Sequence, residues 1–335
     1  MDAAVTVVIA THNRREQLGR GLAALAAQSV SGDTMDVIVV DDGSSDGTFD
    51  WLEAVRLPFA VRSFRQANQG AAAARNRGLA VARGAVVVFL DDDVVPDPDL
   101  VRAHLDSHAI ETGIAVVGPL ASPPGPRPPW VAWHQATLER RYQAMATGAV
   151  SPSFREFWTG NASVPRQLAL EAGGFDPSFR TGEDVELGCR LMTVGARFRF
   201  NPAARGVHHD SQSFDAWCRR FPAWARAEMT ILRKLGETER HAHLTTLWRD
   251  VHPLTRLVVR SCSGRRAASR AMRLLLSAVI RSVGVAFPMS GPSWAACGCL
   301  ANLLYWDAAV EALARDGGHV PWAGPPAPSV TGTRP

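Results

Sequence analysis

Val86-Val87-Val88-Phe89-Leu90 runs without a polar residue into Asp91-Asp92-Asp93, and no other stretch restricts the fold so strongly. Four of the five apolar residues are β-branched or aromatic, the composition of a strand covered on both faces. The carboxylates fall where that strand leaves its sheet. Three adjacent negative charges repel one another, and a divalent cation carrying a diphosphate would relieve them. Taken alone, the stretch reads equally well as a strand followed by an acidic, solvated turn.

Two earlier apolar runs follow the same plan. Val5 to Ala10 ends in Thr11-His12-Asn13-Arg14, and Val37 to Val40 ends in Asp41-Asp42-Gly43-Ser44-Ser45-Asp46-Gly47. Between the runs, Glu16 to Gln28 has helical spacing with Leu18, Leu22 and Leu25 on one face. Phe49 to Val55 reads as a short helix and Ala60 to Arg65 as a short strand. Asn68-Gln69-Gly70 is a turn, and Ala71 to Ala82 is an alanine-rich helix carrying Arg75 and stopped by Gly84. Strand and helix thus alternate about every 25 residues, the signature of a parallel, doubly wound α/β sheet, whose ligands bind beyond the carboxyl ends of the strands. All three polar clusters are brought to that rim. Neither G-x-G-x-x-G nor a P-loop follows the first strand, so phosphates would be held differently, and a metal on the aspartate triplet would do it.

Further on, Leu100 to His108 reads as a helix and Ile114 to Val117 as a strand. Residues 119–130 hold six prolines, a density that predicts a long loop with no regular element. Phe157 to Val164 reads as a strand with a glycine interruption, Arg166 to Ala172 as a short helix, and Arg197 to Asn201 as a last strand before Val207-His208-His209-Asp210. Glu183-Asp184 precedes the apolar-periodic Val185, Leu187, Leu191 and Met192. This puts two carboxylates at a helix start, where the dipole favours their ionised form; an acidic first turn of no special purpose fits the spacing too.

Composition narrows the function classes. A net charge of +4 without an RRM, zinc-finger or basic-region pattern does not describe a nucleic-acid binder. Five scattered cysteines without a C-x-x-C fit a reducing compartment. The short apolar run at the N-terminus lacks a basic leader, so a cytoplasmic protein is expected. From Val251 to Trp306 there is no acidic residue but there are seven arginines. On a helix, Arg266, Arg270, Arg273 and Arg281 fall on one side and Met272, Leu275, Leu276, Val279 and Val283 on the other. Such a segment, residues 256–281, suits either peripheral contact with the inner face of an anionic membrane or packing with its arginines in solvent. Residues 282–306 are uncharged but interrupted by Pro288, Gly291 and Pro292, which predicts two buried segments joined by a turn and not a membrane span. Residues 321–335 read as a disordered tail.

Taken together, the segments resemble family 2 of the inverting GT-A glycosyltransferases. The matching pieces are Val7 to Arg14, Val40 to Asp46, Asn68-Gln69-Gly70 with Ala74-Arg75-Asn76-Arg77-Gly78, Leu90 to Asp93, Gly173-Gly174-Phe175-Asp176 and Gly182-Glu183-Asp184. They run in order from residue 4 to about 210. The resemblance implies an α/β, Rossmann-like GT-A domain with a mostly helical C-terminal extension. In that scheme residues 1–112 form the nucleotide-sugar half, 113–235 the acceptor half, 236–320 the extension and 321–335 the tail. It implies transfer of a sugar from a nucleoside-diphosphate sugar, UDP- or dTDP-linked for preference, to a hydroxyl of a saccharide, lipid-linked sugar or small natural product. Thr11, Asn13, Arg14, Asp42, Arg75, Asp91 and Asp92 would contact the nucleotide sugar, with Asp42 on the base. Asp93, with Asp91 and a histidine, His208 or His209, would hold Mg²⁺ or Mn²⁺. Asp184 would be the base and Glu183 its neighbour orienting the acceptor, while Trp158 and Asn161 would face the acceptor. The multiple membrane helices and Q-x-x-R-W motif of processive members are missing, which implies non-processive transfer. The alternatives are a sugar nucleotidyltransferase, whose N-terminal loop is glycine-rich, unlike Thr11 to Arg14, and a non-catalytic nucleotide-sugar-binding module.

Overall fold

The computed structural model describes residues 4–59, 61–210, 212–286 and 291–323. The chain divides into two compact units, Met1–Pro126 with His134–Ser211, and Arg127–Trp133 with Gln212–Pro335.

The first unit is built on a seven-stranded sheet. Its opening half alternates β1 (Val5–Thr11), α1 (Arg15–Leu25), β2 (Met35–Asp41), α2 (Thr48–Ala54), β3 (Val61–Arg65), α3 (Ala71–Val81) and β4 (Val86–Asp91). β1 lies between β2 and β4 and parallel to both, with Val7 beside Val37 and Val88. The apolar runs are continuous because the sheet is covered on both faces: Val7, Val37 and Val88 pack with Leu18, Leu22 and Leu25 of α1, and α3 lies along β1. The chain continues through β5 (Val94–Pro96), α4 (Leu100–Ile110), β6 (Ile114–Val117), β7 (Leu120–Ala121), α5 (Pro129–Ala146), β8 (Asn161–Pro165), α6 (Arg166–Glu171), α7 (Glu183–Thr193), β9 (Arg197–Phe200) and β10 (Gly206–His208). The sheet order is β3-β2-β1-β4-β8-β6-β9. β8 runs antiparallel to β4 and β6, so the parallel pattern of the first half does not extend through the whole sheet. A small sheet, β5-β10-β7, pairs His208 with Val94.

Two expectations on this unit need correcting. The proline-rich stretch does contain regular structure: Leu120–Ala121 pairs with β10, and a helix begins at Pro129, a first-turn position where the missing N–H costs nothing. The strand expected from Phe157 begins only at Asn161. Before it, Phe154–Glu156 forms a 3-10 turn capped by Ser153 and closed by Glu156.

The second unit is helical: α8 (Phe214–Leu235), α9 (Glu237–Asp250), α10 (Pro253–Cys262), α11 (Arg266–Ala286) and α12 (Gly291–Arg315). α12 supplies much of its core, including Cys297, Leu300, Leu303, Leu304 and Trp306. Among the described residues no helix is long and apolar enough to cross a membrane. The turn expected inside 282–306 falls at residues 287–290, outside the described residues. Of the expected tail, Pro321–Ala323 forms a 3-10 turn with Trp322 packed on Trp248, ring centroids 4.4 Å apart; 324–335 lie outside the described residues. The expected sidedness of α11 holds for Met272, Leu276 and Val279, which pack on the core, and for Arg266, Arg270 and Arg281, which are exposed; it is corrected at Arg273 and Leu275. Ser269 and Ile280 are buried and Arg273 is half-buried, whereas Leu275 is largely exposed. The cause is Asp307 on α12, which accepts from both Ser269 and Arg273. The expectation for Val283 falls outside the described side chains.

Gly78 marks where α3 presses on the sheet. A Cβ there would overlap the buried side chain of Val8. Gly78→Ala is expected to cost about 1–3 kcal/mol through overpacking, read as a lower urea midpoint.

Candidate functional site

The carboxyl ends of β1, β2 and β4 and the start of α7 carry the chemistry. At the first, the chain turns through Asn13, whose φ of 53° is left-handed, a conformation asparagine tolerates better than most residues. Its amide oxygen accepts from the Ser45 N–H at 2.7 Å, and its own N–H donates to Ser44 Oγ at 2.8 Å. The first two turns are thereby locked together. Asp42 is buried, and its carboxylate accepts from Gln66 Nε2 (2.8 Å), the Gln69 N–H (2.9 Å) and the Gly70 N–H (2.7 Å). It thereby shapes the Asn68–Gly70 turn. Gln66, Ser44 and the 69–70 backbone amides went unnoticed in the sequence, where Asn-Gln-Gly signalled only a turn.

The aspartate triplet splits. Asp92 is buried and accepts from Thr11 Oγ1 (2.7 Å) and from Arg14 (3.0 Å). Burial pushes its carboxyl up to about 6, against the pull of Arg14 and Thr11. Arg14 also reaches Asp93 at 2.7 Å. Asp91 accepts from Arg75 at 2.7 Å. Arg14 and Arg75, expected on ribose or diphosphate, are thus both paired with this cluster.

Asp91, Asp93 and His208 each offer a ligand atom, all within 4.8 Å of one another. His208 Nε2 is 3.1 Å from Asp93 Oδ1, yet that buried oxygen accepts no hydrogen bond with good geometry from the chain. A close approach of two donor atoms around an unsatisfied carboxylate oxygen is what a cation would occupy, and two carboxylates with one imidazole suit Mn²⁺. Gly160 lies against this group: a Cβ there would come 2.9 Å from Asp91 Oδ2. Burial opposes ionisation of Asp93, but His208 and Arg14 outweigh it and hold the carboxyl below its usual range. Burial likewise opposes a charged His208, but Asp93 and Asp91 outweigh it and raise the ring's pKa. His209 is outside the group. Only its backbone N–H meets Asp93, donating to the carbonyl at 2.9 Å, while burial and Arg20 hold its ring below the ordinary value.

Glu183 and Asp184 open α7 after Gly182, which takes the left-handed cap conformation at φ 73°. Arg75 is buried against the Phe175 ring and spans to this pair, donating to Glu183 at 2.8 Å. Asp184 keeps partial solvent access, yet burial, then repulsion from Glu183, pushes its carboxyl up to about 7, with Arg75 pulling the other way. At Asp184 burial thus works against the ionised form that the helix dipole favours.

The two residues assigned to an acceptor part company. Trp158 is half-buried and meets Tyr142 edge-on at 5.8 Å. Asn161 is buried, its Nδ2 donating to the Ala204 carbonyl at 2.8 Å and its Oδ1 bonded to His104 Nε2 at 2.9 Å. Both ends of that amide are used in packing, so it does not face an acceptor.

Two outcomes are expected. Calorimetric titration with Mn²⁺ should show at least about tenfold weaker binding for His208→Ala, and weaker still for Asp93→Ala, with His209→Ala unchanged, since a lost ligand costs no less than a lost supporting contact. The second concerns stability without ligand. A carboxyl raised in the folded state binds more protons there than in the unfolded chain between pH about 4 and 7, so stability falls as pH rises through that window. Asp184→Asn should therefore raise the melting temperature relative to the parent at pH 8 and leave it nearly unchanged at pH 4.

The chain is similar to known proteins in sequence and in fold. The family model for glycosyl transferase family 2 matches residues 6–171. Validoxylamine A glucosyltransferase of Streptomyces hygroscopicus subsp. limoneus is 31% identical over 230 residues, 61% of this chain and 51% of that protein. Pre-mycofactocin glycosyltransferase of Mycobacterium tuberculosis is 30% identical over 333 residues, 92% of this chain and 66% of that protein. The chain thus spans between half and two thirds of the length of these relatives. Among solved structures, a mannosyltransferase from Pyrobaculum calidifontis in complex with GDP-Man and Mn²⁺ superposes with a TM-score of 0.61 at 21% identity, covering 93% of this chain and 88% of that one. S. aureus TarS 1–349 in complex with UDP-GlcNAc gives 0.59 at 16% identity, covering 95% and 93%. These two likenesses establish the fold, a Rossmann-like GT-A sheet followed by helices. The chain belongs to glycosyl transferase family 2.

Proposed function

We propose that the chain transfers a single sugar from a nucleoside-diphosphate sugar to an acceptor hydroxyl, inverting the anomeric configuration. The observation that carries this reading is the Arg75 bridge, 2.7 Å to Asp91 at one end and 2.8 Å to Glu183 at the other. It ties the group that would hold a cation to Glu183, the neighbour of Asp184, whose carboxyl is pushed up to about 7 by burial and by Glu183, and a single displacement needs both: charge neutralisation on the leaving diphosphate and a base for the attacking hydroxyl.

Asp91, Asp93 and His208 would hold Mn²⁺ or Mg²⁺, which when bound supplies positive charge to the departing diphosphate. Asp184 takes the acceptor proton as the oxygen attacks the anomeric carbon. A carboxyl titrating at about 7 holds an abstracted proton better than an ordinary aspartate while remaining substantially ionised at neutral pH. Glu183 and Arg75 keep it oriented, and the half-exposed Trp158 indole offers a stacking face to the acceptor. Arg14, Thr11 and Asn13 form the rim where the nucleotide enters. The donors bound in the two solved structures, GDP-Man and UDP-GlcNAc, and the activities of the two glycosyltransferase relatives support the nucleotide-sugar class. Within it we favour UDP- or dTDP-sugars; the acceptor class extends over saccharides, lipid-linked sugars and small natural products.

A thermal-shift panel of nucleoside diphosphates and their sugars with Mn²⁺ identifies the donor. With that donor, Asp184→Asn is expected to bind it within about threefold of the parent while turnover drops by about 10²–10⁴, the range of a general base. The parent's rate should rise with pH through about 7 as Asp184 deprotonates and then level off. Unchanged turnover in the variant would remove Asp184 from the mechanism and favour a binding module.

A further inference from the structure

α10 and α11 are joined by a three-residue turn, residues 263–265, and both turn leucines outward. Leu254 and Leu257 on α10 are 68% and 64% exposed, and Leu274 and Leu275 on α11 are 65% and 58% exposed. Among the described residues only eight large hydrophobics are exposed, and four of them lie within these 22 positions. On α11 the outward stripe continues as Ala267, Ala271, Leu274 and Ala278, all exposed and three or four residues apart. Counted from Gly264, both leucine pairs lie 7 to 11 residues away, about 10–16 Å along either helix at 1.5 Å per residue. The inward faces are already satisfied, by Val259 and Cys262 on α10 and by Ser269, Ile280 and the Arg273–Asp307 pair on α11.

Charge identifies what covers the outward side. Val251 to Trp306 contains seven arginines, no lysine and no acidic residue. Arg273 and Arg281 are paired with Asp307 and Asp215. Arg260, Arg266 and Arg270 are exposed and, among the described residues, have no carboxylate partner. They flank the leucines: Arg260 one turn beyond Leu257, and Arg270 one turn before Leu274. Exposed leucines interleaved with unpaired arginines are complementary to a surface that is apolar below and anionic above, the interfacial layer of a bilayer containing acidic lipids. We propose that the α10–α11 hairpin docks on an anionic membrane surface, its four leucines entering the headgroup–acyl boundary and Arg260, Arg266 and Arg270 meeting lipid phosphates.

The arginines expected to define a membrane face by themselves do not. Arg273 is withdrawn into the packing and Arg281 lies over the Phe214 ring at 4.8 Å, so the leucines set the docking side. The inference is independent of the sugar-transfer reading, because no nucleotide or acceptor enters it.

The test is co-flotation of the full chain with vesicles of phosphatidylcholine alone, and with about a third phosphatidylglycerol, at low and high salt. Binding is expected only to the anionic vesicles, weakened by salt. Leu257→Ser with Leu274→Ser should reduce partitioning by about tenfold or more, as should Arg266→Gln with Arg270→Gln. All four positions are exposed, so circular dichroism should remain that of the parent. Equal binding to neutral vesicles, no binding to either, or binding indifferent to both double variants would overturn the proposal. So would a concentration-dependent dimer in analytical ultracentrifugation that the leucine variants dissolve, since the face would then belong to a second copy of the chain.

Discussion

A single buried guanidinium holds the site together. Arg75 places one nitrogen 2.7 Å from Asp91 and another 2.8 Å from Glu183, with Phe175 beneath it. Asp91 is 16 positions away in the chain and Glu183 is 108. Remove the cation and Asp91, Glu183 and Asp184 become neighbouring carboxylates in poorly solvated surroundings, an arrangement that must either take up protons or move apart. The α3–β1 packing at Gly78 and the left-handed cap at Gly182 therefore serve the same end as Arg75. They fix where the strand-end aspartate and the helix-start pair meet.

The same logic explains why adjacent residues have different partners. Asp91 faces Arg75, Asp92 faces Thr11 and Arg14, and Asp93 faces Arg14 and His208. The three carboxylates have different sets of partners, so the triplet is not one acidic patch. Arg14 neutralises the part of it that Arg75 does not reach. This leaves the Asp93 oxygen nearest His208 as an unsatisfied one, so the group that could hold a cation lies where the chain's own arginines stop.

What could be read from the residues follows from the range of the forces involved. The strands β1, β2 and β4 were legible because a doubly covered strand must be apolar throughout, and the rim followed from parallel topology. The carboxylates were legible as a cluster, but their partners were not. Arg75 was visible as a helical arginine and read as a phosphate contact, because nothing local announces a partner 108 residues away. His208 and His209 could not be told apart, since the choice depends on the register that pairs His208 with Val94, and neighbouring strand residues point to opposite sides. Asn161 was misread for the same reason. Its hydrogen bonds go to His104 and Ala204, positions that sequence spacing does not bring near it. The structural part that Asp42 plays was not legible either, because a turn's internal demand for acceptors is invisible until its N–H groups are counted.

The helical unit shows the failure at its plainest. Apolar periodicity put Leu275 inside α11, on the assumption that the most hydrophobic arc is the buried one. Asp307 reverses it. A carboxylate on the buried side of α12 requires donors, and α11 supplies Ser269 and Arg273 four residues apart. Turning those two inward rotates Leu274 and Leu275 outward. Leaving a buried carboxylate unpaired costs more than one or two leucines gain by burial, so Ser269 and Arg273 share the inward face with Met272, Leu276 and Ile280, and Leu274 and Leu275 are left outside it. An apolar surface on a helix that could have hidden it is then the consequence of a polar contact on its other side.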